Sequence, residues 1–410
     1  MMDYPIVFIP GLFGSLGDDV IKGTGDFSFG FAEKIYRPFI EILNSMGYTE
    51  NINLFISYYD WKKSVLESVD KYLFPDVEKV KQRTGTDKVI LIGHSLGGLL
   101  GRAYMNYFNP ITVDKLIMIG TPNLGTVNAY YFWSGGKVPY SKLEDDILYN
   151  GLKIGFILYY YIFKKINYIE ALRNIFPIVK DLLPSYNYGN YLFYEKSGMG
   201  KEIPIENMSV NNSFLNGLEK RPMDPNRLFI VSGKGVYTNQ EFLVDVNKKE
   251  KVKWKDGKPI KAYKTNYGDG TVTTLSTLGY LGGNNLVLEG NHTDILYNSK
   301  DYLSSILRKP LVKGIKEEKV ENVYVIFAYN CEKINIKTPI FNEISSKNIN
   351  IVDNRVQAIS LGNNSFWIMV LGDKNLEVEL TVKPIKKTKP RIYYSSNSNF
   401  ITVSISLGEG

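Results

Sequence analysis

The sequence predicts an α/β fold: a mostly parallel sheet flanked by helices, a helical insertion, and a β-rich module at the C-terminal end. Three observations carry this. From Tyr4 to Pro122, short apolar runs bounded by Gly and Pro alternate with longer stretches of helical periodicity. Strands alternating with helices imply a parallel sheet with right-handed crossovers. From about Asn123 to Ser185 helix signal dominates and strand signal fades. After residue 310 short strand signals separated by Asn, Gly and Ser remain, the pattern of an antiparallel sandwich or related module.

The elements follow in order. "YPIVFIPG" is a buried-type strand ending at Pro10-Gly11. Phe31, Ile35, Phe39, Leu43 and Met46 recur at helical spacing, and Pro38, which has no N–H, sets the start of the regular helix near itself. "NINLFISYYD" is a strand, and the charged stretch Lys62 to Thr84 a helix that breaks near Pro75. "DKVILIGHS" is a strand, Leu96 to Phe108 a helix, and "VDKLIMIGTP" a strand. In such sheets ligands sit at the carboxyl ends of the strands, where Gly11, Ser95 and Thr121 all emerge.

The insertion, about 126–199, contains "GFILYYYIF" and the amphipathic "YIEALRNIFPIVKDLL". A spanning helix needs ~20 apolar residues, so this run predicts no integral membrane segment. It predicts a helical lid that offers apolar surface to lipid, with core helices as the alternative. "RLFIVSGKG", an excursion turning near Asp256-Gly257, "TNYGDGTVT", "NNLVLEG" and a helix from Tyr302 to Arg308 complete a domain over 1–309. "NVYVIFAY", "INIKT", "VQAISL", "FWIMVLG", "LEVELTV", "RIYYS" and "FITVSISL" make the C-terminal domain, 310–410. Its expected role is packing, with surface binding as the alternative. No repeat of fixed period is visible.

Composition narrows the function. The 410 residues suffice for one large and one smaller domain. The net charge is +7, and no Lys/Arg block interleaves with aromatics, so nucleic acid is not an expected partner. Cys331 is the only cysteine, which excludes an intrachain disulfide and a thiolate metal cluster. That fits a reducing compartment and equally a bacterial exoprotein without disulfides. "MMDYPIVFIPG" reads directly as a core strand with no signal-peptide pattern before it. The chain is therefore expected either not to use that export route or to be a mature form, secreted or cytoplasmic, and a monomer.

Gly93-His94-Ser95-Leu96-Gly97 lies between the strand "KVILI" and the apolar helix "LGGLLGRAYMNYF". In that context the spacing predicts a nucleophile elbow with the Ser95 hydroxyl exposed above the sheet. A serine hydroxyl needs a base to take its proton and a third group to hold the base. The chain has two histidines. His94 is locked in the elbow with its ring directed away from the Ser95 hydroxyl, a structural position, so His292 in "EGNHTDIL" is the expected base. The acid must lie between them. Asp269 in "YGDGTVT" is the best candidate, with Asp245, Glu241 and Glu289 as alternatives. The oxyanion donors expected are the backbone N–H groups of Leu96 and Leu12, with Phe13 as the alternative to Leu12. No loop has calcium-hand spacing, so neither a required metal nor a cofactor is predicted.

"FIPGLFGS", "YYDW" at Tyr58 to Trp61, "GHSLGG", "GTPNLGT" and "GDGTV" together resemble the lipase branch of the α/β-hydrolases, in particular the lecithin:cholesterol acyltransferase-like group, which has Pro-Gly where many lipases have His-Gly. The chain is also similar to heat-stable lipases of thermophilic anaerobic bacteria. The resemblance spans about the first three-quarters of the chain. It implies an α/β-hydrolase core, ester hydrolysis on medium- or long-chain acylglycerols at a lipid–water interface, Ser95, Asp269 and His292 as triad, the insertion as lid, and thermostability. The C-terminal module departs from the common pattern, and acyl transfer to an alcohol does not follow from the likeness. Phospholipase, soluble-ester carboxylesterase and acyltransferase activities are the alternatives within the class. A catalytically silent lipid-binding scaffold is the alternative outside it.

Overall fold

A computed structural model describes residues 4–12, 14–19, 24–29, 32–136, 168–247, 252–311, 322–338, 341–345, 356–362, 365–372, 378–385, 389, 391–396 and 403–407. The run "GFILYYYIF" lies outside the described residues, as does most of the lid expected over about 126–199. The chain divides into two compact units. The first is Met1–Ser15, Ile35–Pro139 and Arg173–Glu317, and the second includes Leu16–Lys34 and Glu318–Gly410.

The first unit is built on a six-stranded sheet. Its strands are β1 (Ile6–Ile9), β2 (Leu54–Ile56), β3 (Val89–His94), β4 (Val113–Ile119), β5 (Leu228–Lys234) and β6 (Asn284–Glu289). The order is β6-β5-β4-β3-β1-β2, and every pairing is parallel. β1 and β3 are buried at every position, as their unbroken apolar sequences require of central parallel strands. The chain leaves β1 toward β2 on one side and returns through β3 to the other. The order thus reverses between β1 and β3, and in open α/β sheets ligands bind outside the carboxyl ends at such a reversal. This is the mostly parallel α/β core that the sequence predicts.

The helices refine the sequence reading. Helix α1 (Glu33–Ser45) begins before Pro38 and carries it inside. Pro38, one turn past the helix start, leaves the Lys34 carbonyl without its intrahelical donor, and burial of the apolar face sustains the turn before it. The buried stripe also differs from the expected one: Ile35 is exposed and Tyr36 is buried. The helix expected to break near Pro75 runs from Val65–Ser68 through a π turn, Val69–Leu73, into α2 (Phe74–Thr84) with Pro75 in its first turn. After the elbow, α3 (Leu96–Ala103) passes into a π turn at Tyr104–Phe108, and α4 (Asn128–Gly135) follows the loop after β4.

The excursion near Asp256-Gly257 belongs to a second sheet. Its strands lie in the order Lys258–Thr265, Thr238–Asp245, Leu192–Lys196, Met199–Ile203. The insertion therefore ends in a hairpin rather than in helix. Lys196 faces Met199 across Ser197 and Gly198, whose φ values of 54° and 76° are those of a two-residue primed turn.

The second unit contains two four-stranded sheets. One orders Val356–Gly362, Ser365–Gly372, Asn322–Tyr329 and Arg391–Ser396, antiparallel throughout. The other orders Phe341–Ser345, Cys331–Thr338, Val378–Pro384 and Val403–Leu407, its last pair parallel. Ile326, Phe366 and Ile368 on the first sheet and Cys331, Ile334 and Val382 on the second are buried. A hairpin of Leu16–Asp19 and Thr24–Ser28 also falls in this unit.

Candidate active site

Ser95 sits between the last residue of β3 and the first of α3 with φ 53° and ψ −122°. A non-glycine residue in that conformation costs about 1–3 kcal/mol and persists only where its surroundings enforce it. Here they do. The Ser95 N–H donates to the Ile119 carbonyl of β4 (2.8 Å). A Cβ on Gly97 would run into the Ile9 carbonyl, and one on Gly93 into the Gly98 backbone. Both outer glycines of the motif are thus required by close backbone approach, and the serine between them is left half-buried at the carboxyl end of β3.

His292 follows the end of β6 in the loop Gly290–Thr293. Its Nδ1 pairs with Asp269 Oδ2 at 2.7 Å. The other carboxylate oxygen of Asp269, Oδ1, accepts the N–H groups of Thr271 (2.9 Å) and Val272 (2.7 Å). The Asp269 side chain is fully buried. With the imidazole on one oxygen and two backbone donors on the other, the Asp269 side chain holds the ring's orientation and places an acceptor at Nδ1. A Cβ on Gly120, next to the Ile119 that anchors Ser95, would lie 3.1 Å from His292 Cε1. The imidazole is therefore packed against the strand end beside the elbow.

The alternatives to Asp269 lie elsewhere. Glu289 pairs with Lys234 at 3.2 Å and is largely exposed. Asp245 Oδ1 accepts from the Asn247 N–H. Glu241 stands in the second sheet opposite Tyr263.

The loop after β1 carries Leu12, while Phe13 lies outside the described residues. Its backbone is fastened at several points. Gly11 N–H donates to the Tyr36 hydroxyl (2.8 Å), the Tyr59 hydroxyl donates to the Pro10 carbonyl (2.8 Å), and Tyr59 N–H donates to Ser15 Oγ (2.7 Å). "GTPNLGT" forms the neighbouring wall. Arg102, fully buried in α3, donates to the Asn123 carbonyl (2.8 Å). Asn123 Nδ2 in turn donates to the Thr277 carbonyl (2.7 Å), and Thr126 Oγ1 to the Thr271 carbonyl (3.1 Å), beside Asp269.

His94, the elbow histidine, has two polar partners. Its Nε2 lies 2.9 Å from the His292 carbonyl oxygen, and its Nδ1 lies 2.9 Å from the Tyr36 hydroxyl. Burial, reinforced by the neighbouring His292, pushes its pKa down to about 3, so the ring is neutral. The sequence reading missed Tyr36 altogether. The tyrosine is one residue off the apolar stripe from which the helix was recognised. Tyr59 was visible only as part of "YYDW", with no role attached.

Residues 27–150, just under a third of the chain, match the lecithin:cholesterol acyltransferase family model. The chain resembles the lecithin:cholesterol acyltransferase-like α/β-hydrolase lipases. Among solved structures it is similar to the mature form of the Bacillus licheniformis lipase BlEst2, at 17% identity and TM-score 0.38, covering 74% of this chain and 92% of that one. It is also similar to EstA from Clostridium botulinum, at 15% identity and TM-score 0.34, covering 75% and 87%. The lin2722 product of Listeria innocua is a third, at 12% identity and TM-score 0.35, covering 77% and 97%. At these identities and TM-scores they bear on neither substrate nor mechanism. Comparison with curated proteins finds no significant match.

Among the described residues no helix is long and apolar enough to cross a membrane.

Proposed function

We propose that this protein is a serine carboxylic ester hydrolase acting on medium- or long-chain acylglycerols. The observation that carries the reading is the His292–Asp269 pair at 2.7 Å beside a serine held at positive φ. In this reading Ser95 Oγ attacks the ester carbonyl carbon while His292 Nε2 accepts the hydroxyl proton. The carbonyl oxygen becomes an oxyanion that accepts the N–H of Leu96, which opens α3 and has no intrahelical acceptor, and the N–H of Leu12. Collapse breaks the C–O bond, and the alcohol leaves with the proton returned by His292. Water, deprotonated by His292, then attacks the acyl-enzyme, and the fatty acid leaves as Ser95 recovers its proton. Asp269 keeps the ring oriented and stabilises the transient imidazolium.

Two features support an apolar acyl group. The sequence carries the apolar run in the insertion, read as a lid within a catalytic domain over 1–309. In addition, α4, which follows the loop after β4, carries the half-buried Tyr131, Phe132 and Trp133. The matched family description favours one second reading, in which an alcohol replaces water at deacylation.

The test is hydrolysis of glycerol and p-nitrophenyl esters of graded chain length, with and without an added alcohol. Ser95→Ala should lose about 10⁴-fold in kcat or more while staying folded, and rates should rise with chain length. Activity confined to short soluble esters would make this a carboxylesterase. Ester products from the alcohol would make it an acyltransferase. No Ser95-dependent turnover at all would end the hydrolase reading.

A further inference from the structure

Two neutral side chains behind the nucleophile connect the loop after β1 to the loop after β6. The direction of each hydrogen bond follows from its partners. The His292 carbonyl oxygen can only accept, so His94 Nε2 carries the proton and donates across the 2.9 Å contact. A neutral imidazole has one N–H, so His94 Nδ1 is an acceptor, and the donor 2.9 Å away is the Tyr36 hydroxyl. The hydroxyl oxygen in turn accepts the Gly11 N–H at 2.8 Å. The chain therefore runs in one direction, from Gly11 N–H to Tyr36 O–H, to His94, to the carbonyl of His292. All the side chains in it are buried. Burial also raises the Tyr36 pKa, which keeps its proton available for donation. The rings are fixed by contact as well: Tyr36 meets His94 edge to face at 5.6 Å and Phe8 at 5.4 Å.

The two ends of this chain are not arbitrary backbone. Gly11 immediately precedes Leu12, the proposed oxyanion donor, and the far end is the main chain of the proposed base itself. Its middle, His94, immediately precedes Ser95. We propose that Tyr36 and His94 form a positioning relay that sets the backbone of the oxyanion loop and of the His292 loop relative to Ser95. Neither side chain touches the reacting atoms. This inference rests on the ester-hydrolase reading above.

Removing the Tyr36 hydroxyl leaves the Gly11 N–H without its buried acceptor and His94 Nδ1 without its donor. The ring and its packing remain. The loss should therefore appear where the oxyanion develops and not in substrate binding. A displaced donor costs less than a deleted one, and deleting one oxyanion donor costs about 10²–10³ in kcat.

The experiment compares wild type, Tyr36→Phe, His94→Gln and the double variant, with Ser95→Ala as control, on a soluble p-nitrophenyl ester. His94→Gln retains an N–H donor for the His292 carbonyl and replaces the ring-nitrogen acceptor for Tyr36 by an amide oxygen on a flexible side chain that has no ring. Each protein is measured for kcat, KM, thermal midpoint and affinity for an alkyl boronic acid, whose tetrahedral serine adduct mimics the oxyanion. Tyr36→Phe should lose ~10- to 100-fold in kcat with KM within about twofold, and boronate affinity should fall by the same factor as kcat/KM. A side chain with only a structural role would lower the thermal midpoint without that match. Because both residues act through one chain, the double variant should be no worse than the worse single one. Unchanged kcat and boronate affinity in folded Tyr36→Phe, or losses that multiply in the double variant, would overturn the relay alone. Absence of Ser95-dependent turnover in the wild type would end the ester-hydrolase reading, and the relay with it.

Discussion

At the scale of single residues, the burial of His94 has a consequence for stability that does not depend on catalysis. Its pKa falls from the ordinary 6.5 to about 3, first through burial and then through the neighbouring His292. Between those values the unfolded chain holds a proton at residue 94 that the folded chain does not, so protons favour unfolding. The stability associated with this group is complete above pH 6.5 and is lost progressively as pH falls toward 3. Gln at the same position does not titrate. Urea unfolding at pH 7.5 and pH 5 should show a larger loss for wild type than for His94→Gln, and equal losses would mean that the folded ring is protonated. The same residue marks the limit of what the sequence discloses. Ser95 is proposed from the Gly-x-Ser-x-Gly turn between strand and helix, and His292 from chain order and elimination, because the chain has only two histidines. Asp269 is proposed from its Gly-flanked loop, and the structure places it on His292. Tyr36 has no such signature, since its partners are 25 and 58 residues away.

At the scale of elements, helix ends are held together by groups whose charge is a burden. Asp181 closes the helix Ile178–Asp181, and its Oδ2 accepts the N–H of Val65 at 2.8 Å, where the helix Val65–Ser68 begins. Burial raises its pKa from 3.8 to about 6, against the opposing pull of the Val65 N–H and Lys180. A carboxyl whose folded value is raised is destabilising when charged. That cost is full above about pH 6 and absent below the unfolded value. Asn at this position keeps an oxygen for Val65 and removes the charge. Asp181→Asn should raise the melting temperature at pH 8, with the gain shrinking toward pH 4.5; a lower melting temperature at pH 8 would show that the charge itself holds the two helices. This contact is not legible from sequence, because residues 65 and 181 are joined only by the folded chain. By contrast, all six strands of the central sheet announce themselves locally, five as apolar runs and β6 as "NNLVLEG". The turn Ser197-Gly198 was missed because the flanking "LFYEK" and "MGKEI" carry more charge than a typical strand.

At the scale of the molecule, the β-strands after residue 320 were legible from their alternation, but the unit they join was not. Leu16–Lys34 also belongs to it, and "LGDD" and "TGDFS" lack the apolar alternation that marks a strand. Each unit has its own buried core: Ile6–Ile9, Val89–Ile92 and Leu116–Ile119 in the first, and Ile326, Cys331, Ile334, Ile368 and Val382 in the second. Separate cores of this kind open as separate cooperative units when each buries enough apolar surface by itself. Two chemical reporters distinguish them. The ester hydrolysis proposed for Ser95 reads the first unit. Cys331 reads the second: the thiol is buried, and burial pushes its pKa up to about 11. The reactive species is the thiolate, so an alkylating reagent at neutral pH should label Cys331 only after its core opens. With increasing urea, the loss of turnover and the gain of Cys331 labelling should have different midpoints, and a boronic acid bound at Ser95 should move the first midpoint upward and leave the second in place. Coincident midpoints that move together with the boronic acid would mean instead that the two cores unfold as one.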